Sequence, residues 1–129
     1  MLNIRTVAVI GSGTMGAGIA EVAASHGHPV LIYDISSDAI SRAIDGIRQR
    51  LASRVTRGKL SADAGSQILA RLLPVTDITA LSTAELVIEA ASERLEVKKA
   101  LFAQLAEICP PQTVLTSNTS SISDRKSTR

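Results

Sequence analysis

Residues Val7–Asp34 read VAVIGSGTMGAGIAEVAASHGHPVLIYD, and the fold turns on what the glycines in the middle are for. The stretch opens on a continuous apolar run, Val7–Ile10, suited to a parallel strand buried on both faces. Thr14 to about His26 is rich in small residues and predicts a helix, with Gly27 as its stop and Pro29 just beyond. Val30–Tyr33 is a second buried run, and it closes on Asp34.

Gly11, Gly13 and Gly16 form G-x-G-x-x-G between that strand and that helix, with Gly18 added. Each glycine has its own physical reason in a dinucleotide-binding turn. Gly11 permits the tight turn, Gly13 lets backbone approach a pyrophosphate, and Gly16 lets the helix lie close on the strand. The helix start then offers unpaired N–H groups and a positive dipole end to phosphates. Asp34 follows 18 residues after Gly16, where an acid accepts hydrogen bonds from the adenosine ribose hydroxyls. A carboxylate there repels a 2′-phosphate, and Ile35, Ser36 and Ser37 bring no arginine to neutralise one, so NAD is expected over NADP. The alternative reading is a tight turn between two buried elements, followed by a solvated aspartate.

Beyond Asp34, Ser36–Ser37–Asp38 signals a helix start. Ile40, Ile44, Ile47, Leu51 and Val55 then recur as the apolar face of a long amphipathic helix, with Arg50, Arg54 and Arg57 on a neighbouring stripe. After Gly58 a shorter helix is expected from about Ser61 to Leu73, stopped by Pro74, with a short strand over Val75–Ile78. Leu86–Ile88 reads as a buried strand, Val97, Leu101, Leu105 and Ile108 as one helical face, and Val114–Leu115 as the start of a last strand. This alternation predicts an α/β fold, Rossmann-like and doubly wound, with a mainly parallel sheet and a helical pair inserted after the second strand.

Composition narrows the partners. The net charge is +2 and aromatics make up only 2%, which argues against nucleic acid, since neither a basic face nor stacking residues are available. The core must be aliphatic. One cysteine, Cys109, rules out an internal disulfide and a cysteine-built metal cage, and no metal is expected; before Pro110 and Pro111 it reads as a buried structural thiol. The start Met-Leu-Asn-Ile-Arg carries no signal-peptide pattern and no apolar run reaches membrane-spanning length, so no membrane association and a cytoplasmic location are expected.

Two further stretches, LVIEAASERLEVKKALFAQL (residues 86–105) and TSNTSSIS (residues 116–123), are more distinctive than the glycine pattern. With VAVIGSGTMGAGIA they make residues 4 to about 123 resemble the N-terminal NAD-binding domain of the 3-hydroxyacyl-CoA dehydrogenases, nearest to the type found in bacterial phenylacetate breakdown. The resemblance implies NAD-dependent oxidation of a 3-hydroxyacyl-CoA to the 3-oxoacyl-CoA, in fatty acid or phenylacetate breakdown. It implies that Gly11, Ser12, Gly13, Thr14, Met15 and Gly16 contact NAD, that Asp34 holds the adenosine ribose, and that Ala91, Ser92 and Glu93 lie beside the cofactor. By the same resemblance Lys98 sits toward the nicotinamide end, Ser120 is the active-site serine that holds the substrate hydroxyl, and Asn118 shares its polar turn. From the residues alone, Glu93 and Lys98 read equally as a solvated helix start, and Ser120 as a turn serine. Arg54 and Arg57 are candidates for coenzyme A phosphates, or part of a solvated helix face.

The resemblance also implies parts that the chain is expected to lack. The family's hydroxyl proton goes to a histidine held by a glutamate after the serine. Here the chain ends nine residues after Ser120, and DRKSTR (residues 124–129) does not continue the family pattern. His26 and His28 fall in the turn before the second strand, at the opposite edge from the cofactor. Residues 1–123 are therefore expected to form an NAD-binding domain incomplete at its C-terminal side, residues 124–129 a polar tail, and the helical substrate and dimer domain to be absent. A homodimer is expected for the full-length family, and self-association through an exposed last strand for this shorter chain. Two alternatives stay open: a non-catalytic NAD-binding module, and another NAD-dependent dehydrogenase of the 3-hydroxyisobutyrate type.

Overall fold

The run VAVI can sit only where both faces of a strand are covered, and the fold places it at the centre of the sheet. A computed structural model of the chain describes residues 4–90 and 95–117. Five strands, β1 (Val7–Ile10), β2 (Val30–Tyr33), β3 (Leu72–Val75), β4 (Leu86–Glu89) and β5 (Val114–Ser117), pair in the order β3-β2-β1-β4-β5, all parallel. The helices α1 (Thr14–Ser25), α2 (Ser37–Thr56), α3 (Ala62–Ala70) and α4 (Leu95–Ile108) connect them, with a 3-10 helix over Ile78–Thr83.

Strand alternation divides the core into two layers. Val7, Val9, Val30 and Ile32 point to one face, under Ala17, Ala20 and Ala24 of α1 and Ile40, Ile47 and Leu51 of α2. Ala8, Ile10, Leu31, Val87 and Leu115 point to the other, under Leu81 and Leu105. Burying an aliphatic side chain such as Ile47 or Leu51 contributes about 1.5–3 kcal/mol. The small residues of α1 let that helix sit close to the sheet. Its end is fixed by Gly27 at φ +95, where the Gly27 N–H donates to the Ala24 carbonyl and the His28 N–H to the Ala23 carbonyl, both at 3.1 Å. Cys109 is buried with its Sγ 3.7 Å from the Leu81 carbonyl, and that burial pushes its thiol pKa up.

Two expectations need correction. The helix anticipated up to Leu73 stops at Ala70, and Leu72–Val75, Pro74 included, forms the strand that had been expected over Val75–Ile78. Proline breaks a helix and cannot donate to a ladder, yet β3 is an edge strand paired only with β2 among the described residues, so the lost donor is tolerated. Ile78 instead opens the 3-10 helix, where the Asp77 carboxylate accepts from the Thr79 N–H at 3.0 Å. The second correction concerns α4. Val97 is 42% exposed, and Lys98 takes its place in the buried face at 2%. Helix geometry gives the reason: Lys98 lies only about 20° around the axis from Leu105, whereas Val97 lies about 80° away.

The register brings the strand ends level. Val75, Tyr33, Ile10, Glu89 and Ser117 are successive partners across the sheet, so every strand gives way to its loop along one edge. The chain reverses its direction of travel between β1 and β4, which makes the crevice above that pair the switch point of the sheet.

Candidate functional site

The ladder runs one residue past β1, the Gly11 N–H donating to the Tyr33 carbonyl at 2.8 Å, and the chain then turns at Gly11 with φ +98. Helix α1 starts with Gly13 as its N-cap and no side chain capping it. The starts of α2 and α3 differ: Ser36 Oγ accepts from the Ala39 N–H at 3.2 Å, and Ser61 Oγ from the Ala64 N–H at 3.0 Å. The amides of the first turn of α1 thus face outward at the positive end of the helix.

The glycines separate by purpose. A Cβ on Gly16 would be driven onto the Gly11 carbonyl oxygen, and would lie 3.5 Å from Val9 Cγ1, so the fold itself requires glycine there. A Cβ on Gly13 would meet nothing within 4 Å, and its extended backbone (φ −70, ψ −167) suits any residue. Packing gives no reason for glycine at 13; a ligand resting on the backbone does. Beside it, a cleft of about 460 Å³ runs between α1 and α2, lined by Ser12, Gly13, Thr14, Arg42 and Arg50 among others. Arg50 is held by Glu21 at 2.7 Å.

Asp34 leaves the end of β2 toward this loop. Its Oδ2 accepts from both the N–H and the hydroxyl of Ser12, each at 2.9 Å, and its Oδ1 accepts from the Ser36 N–H at 3.0 Å. Burial by itself would raise its pKa, but the Ser36 and Ser12 hydrogen bonds and the charge of Arg42 outweigh that and hold the carboxyl below its ordinary value. Glu85, before β4, is likewise lowered, chiefly by the Thr6 N–H at 2.7 Å, with the Arg5 N–H at 3.2 Å adding to it. A carboxyl group whose folded pKa is depressed stabilises the fold above its unfolded pKa, about 4, and that share is lost as pH falls through the lower folded value. Denaturant melts should therefore show stability dropping below about pH 4, with a shallower acid limb in Glu85→Gln.

Of the residues singled out in the sequence, the structure brings Gly11, Ser12, Gly13, Thr14, Gly16 and Asp34 together at the crevice edge. Met15 is adjacent and half exposed. Lys98 is buried in the first turns of α4, and its Nζ has no hydrogen-bond partner among the described residues. Ala91, Ser92, Glu93, Asn118 and Ser120 lie outside the described residues, but the strands leading to them end level with Ile10. Arg54 and Arg57 are not at the loop. They occupy the far end of α2, about 25 Å along its axis from the start, and Arg42 and Arg50 face the cleft in their stead. His26 and His28 precede β2 and bond the Val22 and Arg5 carbonyls through Nδ1, at the sheet end away from the glycine loop. Among the described residues no cluster could hold a metal ion, and no helix is long and apolar enough to cross a membrane.

Sequence reading misses Glu89 and its bond to Ser117, and the Ser12 clasp on Asp34. A signal for Glu89 was present: LVIE, like LIYD, is an apolar run closed by an acid.

The profile of the family described as 3-hydroxyacyl-CoA dehydrogenase, NAD binding domain, matches residues 6–127. The chain belongs to that family. It is 77% identical over 123 residues to the 3-hydroxyadipyl-CoA dehydrogenase of Escherichia coli K12, covering 95% of this chain and 26% of that protein. A 3-hydroxybutyryl-CoA dehydrogenase of Bradyrhizobium diazoefficiens is 38% identical, covering 93% and 41%. The crystal structure of a 3-hydroxybutyryl-CoA dehydrogenase from Escherichia coli superimposes with a TM-score of 0.92 at 78% identity, over 94% of this chain and 26% of that one. The chain thus spans about a quarter of the first of these relatives and about two-fifths of the second. The cofactor of this NAD-binding family fits the residues present. Gly13 leaves its backbone bare where a diphosphate would rest, the Asp34 carboxyl beside it is held below its ordinary pKa, and the buried Lys98 Nζ has no hydrogen-bond partner among the described residues.

Proposed function

We propose that this chain is the cofactor-holding part of an NAD-dependent oxidation of a 3-hydroxyacyl-CoA to the 3-oxoacyl-CoA. The observation that carries the reading is Gly13, a glycine that neither backbone conformation nor packing requires, at the open start of α1 beside Asp34. Bound NAD supplies the acceptor for the hydride from the 3-carbon. The first turn of α1 receives the diphosphate, Asp34 accepts from the adenosine ribose, and Ser12 keeps that carboxylate in place. Ser120 positions the substrate hydroxyl, and Asn118 and Ala91–Glu93 follow in sequence on strands that end level with Ile10. Arg54 and Arg57 remain candidates for the coenzyme A phosphates only if the substrate reaches the far end of α2.

The reaction also needs a base for the hydroxyl proton, a contribution typically of ~10²–10⁴-fold. Neither His26 nor His28 is placed to serve, so this chain alone is expected to bind NAD without measurable turnover. That same placement favours the second reading, a module that binds NAD without catalysis. Titration calorimetry with NAD, beside a turnover assay on 3-hydroxybutyryl-CoA, tests both: absence of NAD binding would refute the two together, and turnover by this chain would exclude the module and contradict the account of the base. Oxidation within fatty acid or phenylacetate breakdown, and pairing with a second copy, belong to the same proposal.

Asp34→Ala tests the cofactor assignment directly. Charge-assisted hydrogen bonds are worth about 1.5–3 kcal/mol, so NAD affinity should fall roughly ten- to a hundredfold. The gap between NAD and NADP should narrow as well, since the repelling carboxylate is gone while Arg42 still faces the cleft. Unchanged NAD affinity in a folded variant would refute the assignment.

A further inference from the structure

Glu89 is an ionisable side chain at a position where a doubly covered parallel sheet favours an aliphatic one. It closes β4 with no exposed surface, and alternation puts it on the face of Val87, beneath α4. A carboxyl group removed from water is strongly unfavourable unless donors reach it. Ser117 supplies one, its hydroxyl donating to Glu89 Oε1 at 2.9 Å. Glu89 and Ser117 are also direct register partners, so the side-chain bond ties together the two residues that close the ladder. That pair is the last on both strands, where a ladder otherwise frays. Ser117 closes β5, and Lys98 is buried on the same sheet face.

We propose that Glu89 is a positioning residue. Acting through Ser117, it fixes the carboxyl end of β5 at the second half of the crevice. The β1–β2 half of such a sheet takes the adenosine and the diphosphate, and the β4–β5 half takes the other nucleotide. The inference rests on the NAD reading above. It separates Glu89 from a core residue that merely fills space, which leucine would do better.

The test titrates the full chain with NAD and with ADP-ribose, which lacks the nicotinamide. Glu89→Ala and Ser117→Ala should each weaken NAD about tenfold and leave ADP-ribose within about twofold. The losses in the double variant should fall short of additive, because both changes remove the bond between the two residues. Glu89→Gln keeps an acceptor oxygen and should bind NAD as the parent does. Equal losses on the two ligands, additive losses in the double variant, or a parent that binds both ligands equally would each overturn the inference while leaving the cofactor reading intact. Should Glu89→Ala fail to fold by circular dichroism, Ser117→Ala decides alone by the same comparison. A parent that binds neither ligand overturns the cofactor reading, and the inference with it.

Discussion

Gly16→Ala is expected to lower stability by about 3 kcal/mol or more, a fall in Tm of roughly 10 °C, and to take NAD binding with it. The added Cβ would collide with the Gly11 carbonyl oxygen, and neither side can yield easily. Gly11 is fixed by its bond to Tyr33 and by a φ that other residues rarely adopt, while α1 is fixed by Ala17, Ala20 and Ala24 against the sheet. Against a typical total of about 5–15 kcal/mol, such a loss is large. Thermal melts followed by circular dichroism give the answer; a Tm within a few degrees of the parent would mean that the turn can relax.

The second large effect comes three residues earlier and has the opposite signature. Gly13→Val should leave the melting curve nearly in place and weaken NAD by about a hundredfold or more, since the diphosphate would lose its close approach to several backbone donors. Valine accepts the extended backbone of residue 13, and its Cβ meets no described atom within 4 Å. The loss of a glycine N-cap costs about 1 kcal/mol at most. Calorimetry and melting on the same sample distinguish the two glycines: one variant loses the fold, the other only the ligand. A Gly13→Val chain that binds NAD normally would remove the diphosphate from the start of α1.

Much of this was legible in the sequence because two independent periodicities agreed. The β1–α1–β2 unit was bounded by a buried run, a glycine stop and an acid, each with one physical meaning, and its predicted limits differ from the observed ones by a residue at most. The Ser36 cap and the Ile40–Leu51 face were readable for the same reason. What escaped depends on contacts distant in sequence. Pro74 reads locally as a helix stop, and only its place beside Ile32 at the sheet edge makes it a strand residue. The helical pattern points to Val97 in place of Lys98 because a pattern of apolar residues cannot reveal a buried lysine. The Glu89–Ser117 and Ser12–Asp34 bonds join residues 28 and 22 positions apart, and no local rule links them.

The flush line from Val75 to Ser117 has a consequence for how such a protein can change. Each loop springs from its own anchor, and the anchors are held by ladder bonds to which the loops add only their first residues, Gly11 bonding the Tyr33 carbonyl and Ala90 the Ile10 carbonyl. Lengthening or rewriting the segment beyond Asp34 leaves the departure points after β1, β4 and β5 where they were. Preference for one sugar can thus be retuned independently of what the neighbouring segments handle, which makes recognition and chemistry separately adjustable on one unmoving frame.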